Sequence, residues 1–226
     1  MASLHLTDSH PAYEQYCVAI FELQEDDIDV IQARIADRLS VSRPAVSEMI
    51  RRLEAERLVK LDGRIQLTPD GAALAERVVR KHRLSERFLT DILGLSWALA
   101  HAEADKWQHV ISDEVELKIN RVLGNPNTCP HGNPIPGTVY EAPDYVPLNQ
   151  LTKDDDFTVA RIPEELEFTP GMLEFLEDAW VMPGRSGRVT NTSPDGTVTV
   201  EVDGKTVGIG SFASARVLVL PGRTGA

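Results

Sequence analysis

The stretch Ile28–Gly71, IDVIQARIADRL SVSRPAVSEMIRRLEAERLV KLDGRIQLTPDG, decides the reading of the N-terminal third. Ile28, Ile31, Ile35 and Leu39 recur at helical spacing, and Ala36 is small enough to admit a second helix at close range. After the short turn SVS, Ser42 is a good N-cap and Pro44 is tolerated in the first helical turn. Val46, Met49, Ile50 and Leu53 then form an inner face. Two helices joined this way make a helix-turn-helix. The segment KLDGRIQL follows as a two-stranded wing turning at Asp62-Gly63, and Thr68-Pro69 opens another helix. Upstream, Tyr13, Tyr16, Ile20 and Leu23 place one more helix over residues 13 to 25.

This order predicts duplex DNA binding, with the second helix entering the major groove by its N-terminal end. Its outward residues are Arg43, Pro44, Ala45, Ser47, Glu48, Arg51 and Arg52. The short ones allow approach to base edges and thymine methyl groups. Ser42, Ser47, Arg51 and Arg52 suit phosphates, and Arg64 on the wing reaches a neighbouring phosphate or the minor groove. Glu48 is awkward in a groove, because it accepts only from cytosine and must avoid phosphate. The same pattern also fits a winged helix used for protein contacts.

Charge sharpens this. The chain has 226 residues, with Lys and Arg totalling 23 against 35 Asp and Glu, a formal net charge of −12. That argues against indiscriminate polyanion binding over the whole surface. The reading helix and wing are nevertheless locally basic. No apolar run approaches the roughly 18 residues that a membrane helix needs. No basic-then-apolar leader is visible in MASLHLTDSHP, and two cysteines, Cys17 and Cys129, are too few for a disulfide scaffold. The expectation is a cytoplasmic protein with free thiols and no membrane partner.

Three further regions follow. Residues 77 to about 124 are helical and rich in His and carboxylates. From Asn125 to about Asp156 the chain is Pro-, Asn- and Gly-rich, cannot hold a helix, and reads as connecting chain. Then come short alternating runs, FTVARI, GRVTNT, TVTVEVDG, KTVGIG and ARVLVLPG, with turns at SPDG and VDGK, which read as a small β-barrel or sandwich. One helical interruption, PGMLEFLEDA, lies inside it. The expected division is residues 1–76, 77–140, a linker over 141–156, and 157–226.

His82 and Glu86 are four apart and share a helix face, and His101, Asp105 and His109 recur every four residues, with Gln108 beside the last. Imidazole nitrogen with carboxylate or amide oxygen suits Mn, Fe(II), Co or Zn. One helix supplies too few ligands, so two must pack together. Histidines beside carboxylates are also commonly exposed or simply satisfied. A hydrolytic metal site stays open, although no HExxH or GxSxG signature is present.

The whole order, with RKHRLSERFL, HAEADKWQHVISDEVE and GNPIPG, resembles the diphtheria toxin repressor family of metal-dependent transcriptional regulators. The resemblance spans about Tyr13 to Leu220 and is most specific over residues 78 to 137. It implies a mainly α chain with a small β part: a winged helix-turn-helix, a helical metal-binding and dimerisation domain, and a C-terminal SH3-like barrel. It implies a non-enzymatic homodimer that binds a palindromic operator once a divalent ion is bound. Such a protein takes no small organic substrate, mainly represses, and controls metal uptake and homeostasis genes.

By the same resemblance, the ancillary metal site falls on His82, Glu86, His101, Glu164 and Glu167. The primary site falls on His109, Asp105, Gln108 and Gln15, with Glu14 adjacent. Asp105 stands where iron-type members carry Cys and manganese-type members Glu, and Gln108 where most carry Glu. Hard oxygen in place of sulfur points to Mn(II), with Fe(II) the alternative and other divalent transition metals acceptable in vitro. The family's base-reading Gln is Glu48 here. The expected switch is electrostatic: without metal Glu86, Asp105, Glu164 and Glu167 repel one another, and the ion cancels that repulsion. Metal and operator then strengthen each other reciprocally. The expected dimer face lies within residues 87 to 123 and includes Phe88, Leu89, Ile92 and Trp97. A metal-independent winged-helix module and a metallohydrolase are the competing readings.

Overall fold

The computed structural model describes residues 10–222. The chain divides into two compact units, residues 1–80 and 81–226.

In the first unit α1 (Pro11–Glu25), α2 (Gln32–Leu39) and α3 (Arg43–Ala55) precede a hairpin of β1 (Val59–Leu61) and β2 (Ile65–Leu67). Asp27, in the left-handed region at φ 54°, ends α1. The chain stays non-helical to Ile31, so α2 starts later than the spacing of Ile28 and Ile31 predicts. Ser40 ends α2 at φ 53°, and Ser42 Oγ accepts from Ala45 N at 3.4 Å to open α3. The hairpin pairs Val59 with Leu67 and Leu61 with Ile65, turning through Gly63 at φ +69°, a conformation that glycine adopts without strain. Ile20, Ile35, Val46, Ile50, Leu53 and Leu74 meet in one core. Burying each such side chain contributes roughly 1.5–3 kcal/mol.

The helix α4 (Pro69–Asp91) begins in this unit and ends in the next. Thr68 caps it, its Oγ1 accepting from Gly71 N at 3.1 Å and donating to Arg57 O at 2.6 Å.

In the second unit α5 (Trp97–Trp107) and α6 (Asp113–Val122) follow. Ser112 Oγ caps α6 by accepting from Val115 N at 3.3 Å, and Asp113, Glu114 and Glu116 sit favourably at its positive end. The sheet then gathers β3 (Val146–Pro147), β4 (Asp156–Arg161), β5 (Ser186–Thr192), β6 (Val198–Val202), β7 (Lys205–Ile209) and β8 (Leu218–Pro221). Its order is β3-β8-β4-β5-β6-β7, every pairing antiparallel. Short helices α7 (Glu164–Glu167) and α8 (Met172–Asp178) lie between β4 and β5, and α9 (Ser211–Ser214) lies before β8. Phe157, Val159, Val189, Val200, Val202 and Val219 supply the apolar face. The fold class is the expected one, helical elements followed by a small antiparallel β domain.

Two expectations are corrected. The sheet starts at Val146, inside the stretch read as a linker over 141–156, because β3 pairs with β8 and Leu148 and Leu151 enter the core. Prolines hid this edge strand. The expected dimer face loses Leu89 and Trp97, which are buried within the unit. Trp97 packs into the sheet's core, and its backbone N–H donates to Glu177 on α8 at 3.0 Å. Leu99 on α5 and Val115, Leu117 and Val122 on α6 are exposed, as are Ile92 and Leu93 just after α4.

Candidate metal centre and reading helix

One turn of α4 places His82 and Glu86 on the same face, and both are buried. Glu86 Oε1 lies 3.0 Å from His82 Nε2 and 2.9 Å from His101 Nδ1 on α5. His101 Nδ1 is also 3.3 Å from Glu167 Oε2 on α7. The structure thus brings together four of the five residues expected at the ancillary site. The fifth, Glu164, is held by Arg83, whose Nη2 and Nε donate to Glu164 Oε1 at 2.8 and 3.3 Å. Arg83 is fully buried, and a guanidinium there cannot shed its charge, so it needs a carboxylate.

Sequence reasoning missed His131. Its Nδ1 sits 2.9 Å from Glu167 Oε2 and 3.6 Å from Glu86 Oε1, and the residue is fully buried. It comes from the Pro-rich stretch read as connecting chain. That stretch is buried from Cys129 to Asn133 because its irregular backbone is satisfied. Cys129 N donates to Asn133 O at 2.9 Å, and Ile162 N donates to His131 O at 2.8 Å. Asn133 Nδ2 donates to Ile162 O at 3.0 Å and to Glu167 Oε1 at 2.6 Å, which also fixes Glu167. Gly132 is required where it stands: at φ +87° its Cα approaches β4 so closely that a Cβ would lie 2.3 Å from Ala160 O. The available signal was Cys-Pro-His-Gly, two ligand-type side chains in a segment otherwise without chemistry.

In the cluster, imidazoles face carboxylates that also act on one another. Burial pulls His82 down, yet the Glu86 carboxylate outweighs it and raises His82 to about 9. Burial likewise opposes, and Glu167 and Glu86 overcome, at His101, raised to about 12. His131 is raised well above the ordinary value against its burial, by the charges of Glu167 and Glu86. Glu167 falls to about 2 despite burial, chiefly through His131. Burial and the neighbouring Glu167 and Glu86 carboxylates raise Glu164 above the ordinary carboxylate value, opposed by the Arg83 guanidinium.

The residues fit a divalent ion. Among the described residues, His82 Nε2, both ring nitrogens of His131, Glu86 Oε2 and Glu167 Oε2 are buried without a hydrogen-bond partner. His101 Nδ1 is hydrogen-bonded to Glu86 Oε1 at 2.9 Å, while these other donor atoms crowd the same small volume. His82, Glu86 and His101 form one set of donors within 4.8 Å of one another, and Glu86, Cys129 and His131 another.

The other expected set is dispersed. Asp105 Oδ1 lies 3.4 Å from His82 Nδ1, so one imidazole stands between that residue and Glu86. The helix α5 ends at Trp107, so Gln108 and His109 lie in a turn and the four-residue stripe stops at Asp105. Gln108 Nε2 and His109 Nε2 are 3.4 Å apart. Gln15 lies on the exposed side of α1 in the first unit.

On α3, Val46, Ile50 and Leu53 are buried while Ser42, Arg43, Pro44, Ala45, Glu48, Arg51 and Arg52 are exposed and Ser47 is half-buried. Arg64 is exposed beside the wing turn. Glu48 forms an i,i+4 ion pair with Arg52, which explains how a carboxylate is kept on this basic face.

Residues 8–65 match the iron dependent repressor N-terminal DNA binding domain, and residues 68–137 the iron dependent repressor metal binding and dimerisation domain. The chain belongs to the diphtheria toxin repressor family of metal-dependent regulators. It is 39% identical over 205 residues to the iron-dependent repressor IdeR of Mycobacterium tuberculosis, covering 84% of this chain and 88% of that protein. It is 48% identical over 126 residues to the diphtheria toxin repressor of Corynebacterium diphtheriae, covering 55% and 56%. A manganese-dependent transcriptional repressor solved with manganese superposes with a TM-score of 0.81 at 33% identity, over 92% of this chain and 99% of that one. DNA binding, metal binding and transcription regulation are therefore properties of the family to which this chain belongs, and its relatives are repressors rather than enzymes. Among the described residues, no helix is long and apolar enough to cross a membrane.

Proposed function

We propose that this chain is a Mn(II)-responsive repressor that binds a palindromic operator as a homodimer in the cytoplasm and controls metal homeostasis genes. The observation that carries the metal dependence is the buried convergence of His82, Glu86, His101 and Glu167 with orphaned donor atoms. A bound divalent ion supplies there the positive charge that imidazolium protons supply in its absence. His82 and His101 would hold the ion through neutral ring nitrogens, so binding would be coupled to loss of protons. Glu86 and Glu167 keep their places, the latter held by Asn133. His82 and Glu86 sit on the helix whose first turns, at Leu74 and Ala75, pack in the DNA-binding unit. A change of order at the site thus reaches that unit through continuous backbone hydrogen bonds. Asp105, Gln108 and His109 are proposed as further donors, with Gln15 expected to join them by family resemblance.

Manganese is favoured because the donors are imidazoles and hard oxygens, with Asp105 in place of a thiolate. Fe(II) is the second reading, supported by the similarity to an iron-dependent repressor and by Cys129 within reach of Glu86 and His131.

The reading face presents Arg43, Arg51 and Arg64 for phosphates and Pro44, Ala45 and Ser47 for base edges. The test is a mobility-shift assay on duplexes selected from a random pool with Mn(II), repeated with Fe(II) and with chelator. Chelation should abolish the shift, and joint His82→Ala and Glu86→Ala substitution should weaken its metal dependence. Affinity unchanged by chelator would leave a metal-independent winged-helix module and sink this reading.

A further inference from the structure

We propose that Glu22 and Arg38 are positioning residues for operator recognition: their buried ion pair holds α2 in one register on α1, aims α3 through the turn that follows, and so sets discrimination between duplexes rather than the stability of the unit. The inference rests on the DNA-binding reading above and names the pair that aims the reading face.

The pair stands where apolar packing would be expected. Arg38 Nη1 donates to Glu22 Oε2 at 2.8 Å, with side-chain exposures of 6% and 9%. Ala19, Ile20 and Leu23 around it on α1 are buried apolar residues. The pairs Glu48–Arg52 and Lys60–Asp62 of the same unit are well exposed. Desolvating two charges costs about as much as their attraction returns, so a buried pair adds little stability over apolar side chains of similar size. It adds exclusivity. An apolar core loses uniqueness before it loses stability, because its side chains repack. A carboxylate and a guanidinium cannot: sliding or rotating α2 on α1 leaves both charges buried and apart.

The elements joined here need such a lock. The helix α2 has eight residues, too few to be stable alone, and the connection over residues 26–31 is non-helical. Arg38 lies in its last turn, where a cation also meets the negative end of the helix. Leu39, Ser40 and Val41 are all that separate it from Ser42, the cap of α3. That turn is held by Ser40 at φ 53° and by Val41 N donating to Ala36 O at 3.0 Å. Ile35 and Ala36 share one core with Val46, Ile50 and Leu53 of α3. A rotation of α2 is therefore carried into the direction of α3. Hydrogen bonds to base edges fail at an error of about 1 Å, whereas long exposed arginines follow a phosphate over a wider range. Loss of the pair should thus reduce specific binding and spare non-specific binding.

The experiment uses the full chain with saturating Mn(II), in mobility shifts on the selected duplex and on a scrambled duplex of equal length and composition. Joint Glu22→Leu and Arg38→Met substitution leaves the net charge unchanged, so the sequence-independent attraction to DNA is held constant. Its affinity for the selected duplex should fall roughly tenfold or more, with scrambled-duplex affinity within about twofold of the parent and the urea midpoint by helical circular dichroism no lower. Arg38→Lys keeps the charge but loses the planar fork, and should lose part of the discrimination, about threefold, in a chain that folds as the parent does. Unchanged discrimination in both variants would overturn the proposal. An equal fall on both duplexes, or a fall in stability that accounts for the loss, would overturn it too, by making the pair a stabiliser. A parent chain that did not distinguish the two duplexes would overturn the operator reading and this proposal with it.

Discussion

In the N-terminal unit the interior is apolar, built from residues such as Ile20, Ile35 and Ile50, and the buried Glu22 is met by Arg38 at 2.8 Å. Its functional side chains stand on the outside of α3 and the wing. In the C-terminal unit the relation is reversed. His82, Arg83, Glu86, His131, Glu164 and Glu167 are all buried, between helices and a sheet that have apolar cores of their own. The first unit uses its core for stability and its surface for chemistry. The second spends part of its interior on chemistry, and must satisfy those charges internally. Stability and function should therefore separate cleanly in the first unit and be entangled in the second.

The largest expected effect breaks the entanglement directly. Arg83→Leu leaves the Glu164 carboxylate buried and uncompensated, and should destabilise the C-terminal unit by about 3–5 kcal/mol. All three tryptophans, Trp97, Trp107 and Trp180, lie in that unit, so urea unfolding followed by tryptophan fluorescence reports it selectively. A loss under 1 kcal/mol would show that the pair is not the internal counterweight described here.

Next comes pH. The folded-state values of His82 and His101 are raised, to about 9 and about 12. Their contribution to metal-free stability is therefore complete below the ordinary imidazole value near 6.5 and fades as pH rises through about 9 for His82. Glu167, lowered to about 2, contributes above the ordinary carboxylate value and loses that as pH falls toward 2. Calorimetry of the metal-free protein should show the C-terminal unit melting lower at pH 9.5 than at pH 7. The N-terminal unit, with no buried histidine among its described residues, should move much less. Excess Mn(II) should flatten the alkaline decline, because it competes with protons for the same nitrogens. An unchanged melting temperature would contradict the protonated cluster.

Smaller effects sharpen the other half of the comparison. Ile50→Val in the first unit should cost about 0.5–1.5 kcal/mol, seen in helical circular dichroism, while the tryptophan-reported transition stays put. Equal movement of both transitions would mean that the two units unfold as one. Smallest of all, Glu48→Gln frees Arg52 from an exposed ion pair. Non-specific duplex affinity should rise by no more than about fivefold, with a slightly steeper salt dependence. A fall in affinity would mean that Glu48 reads a base rather than restraining Arg52.

The two units also differ in how far they could be read from residues alone. Helical spacing, the Ser42 cap and the Asp62-Gly63 turn placed α3 and the wing, because an amphipathic element on a solvent boundary shows its inner and outer faces as a period. The same rule set His82 beside Glu86, since i,i+4 neighbours need only one helix. Spacing on the next helix singled out His101, family resemblance assigned it to the site of His82 and Glu86, and resemblance added Glu167 from another element. It also added Glu164, whose partner Arg83 lies 81 residues away and follows from no local pattern. His109 fell outside the helical stripe because α5 ends at Trp107, and Trp97 left the dimer face because the sheet claimed it.

Local sequence determined the main helices, the hairpin and the strands other than β3, which face of the reading helix meets solvent, and that imidazoles and carboxylates would be available as donors. Tertiary structure decided which of those donors converge. His131 lies beside Glu86 and Glu167 because a Pro- and Gly-rich strap is pinned to β4 by hydrogen bonds, and Glu164 meets Arg83 because a buried guanidinium must have a counter-charge. Both choices depend on contacts between residues far apart in the chain, where periodicity carries no information and the cost of burying an unpaired charge or an unsatisfied polar atom selects the partner.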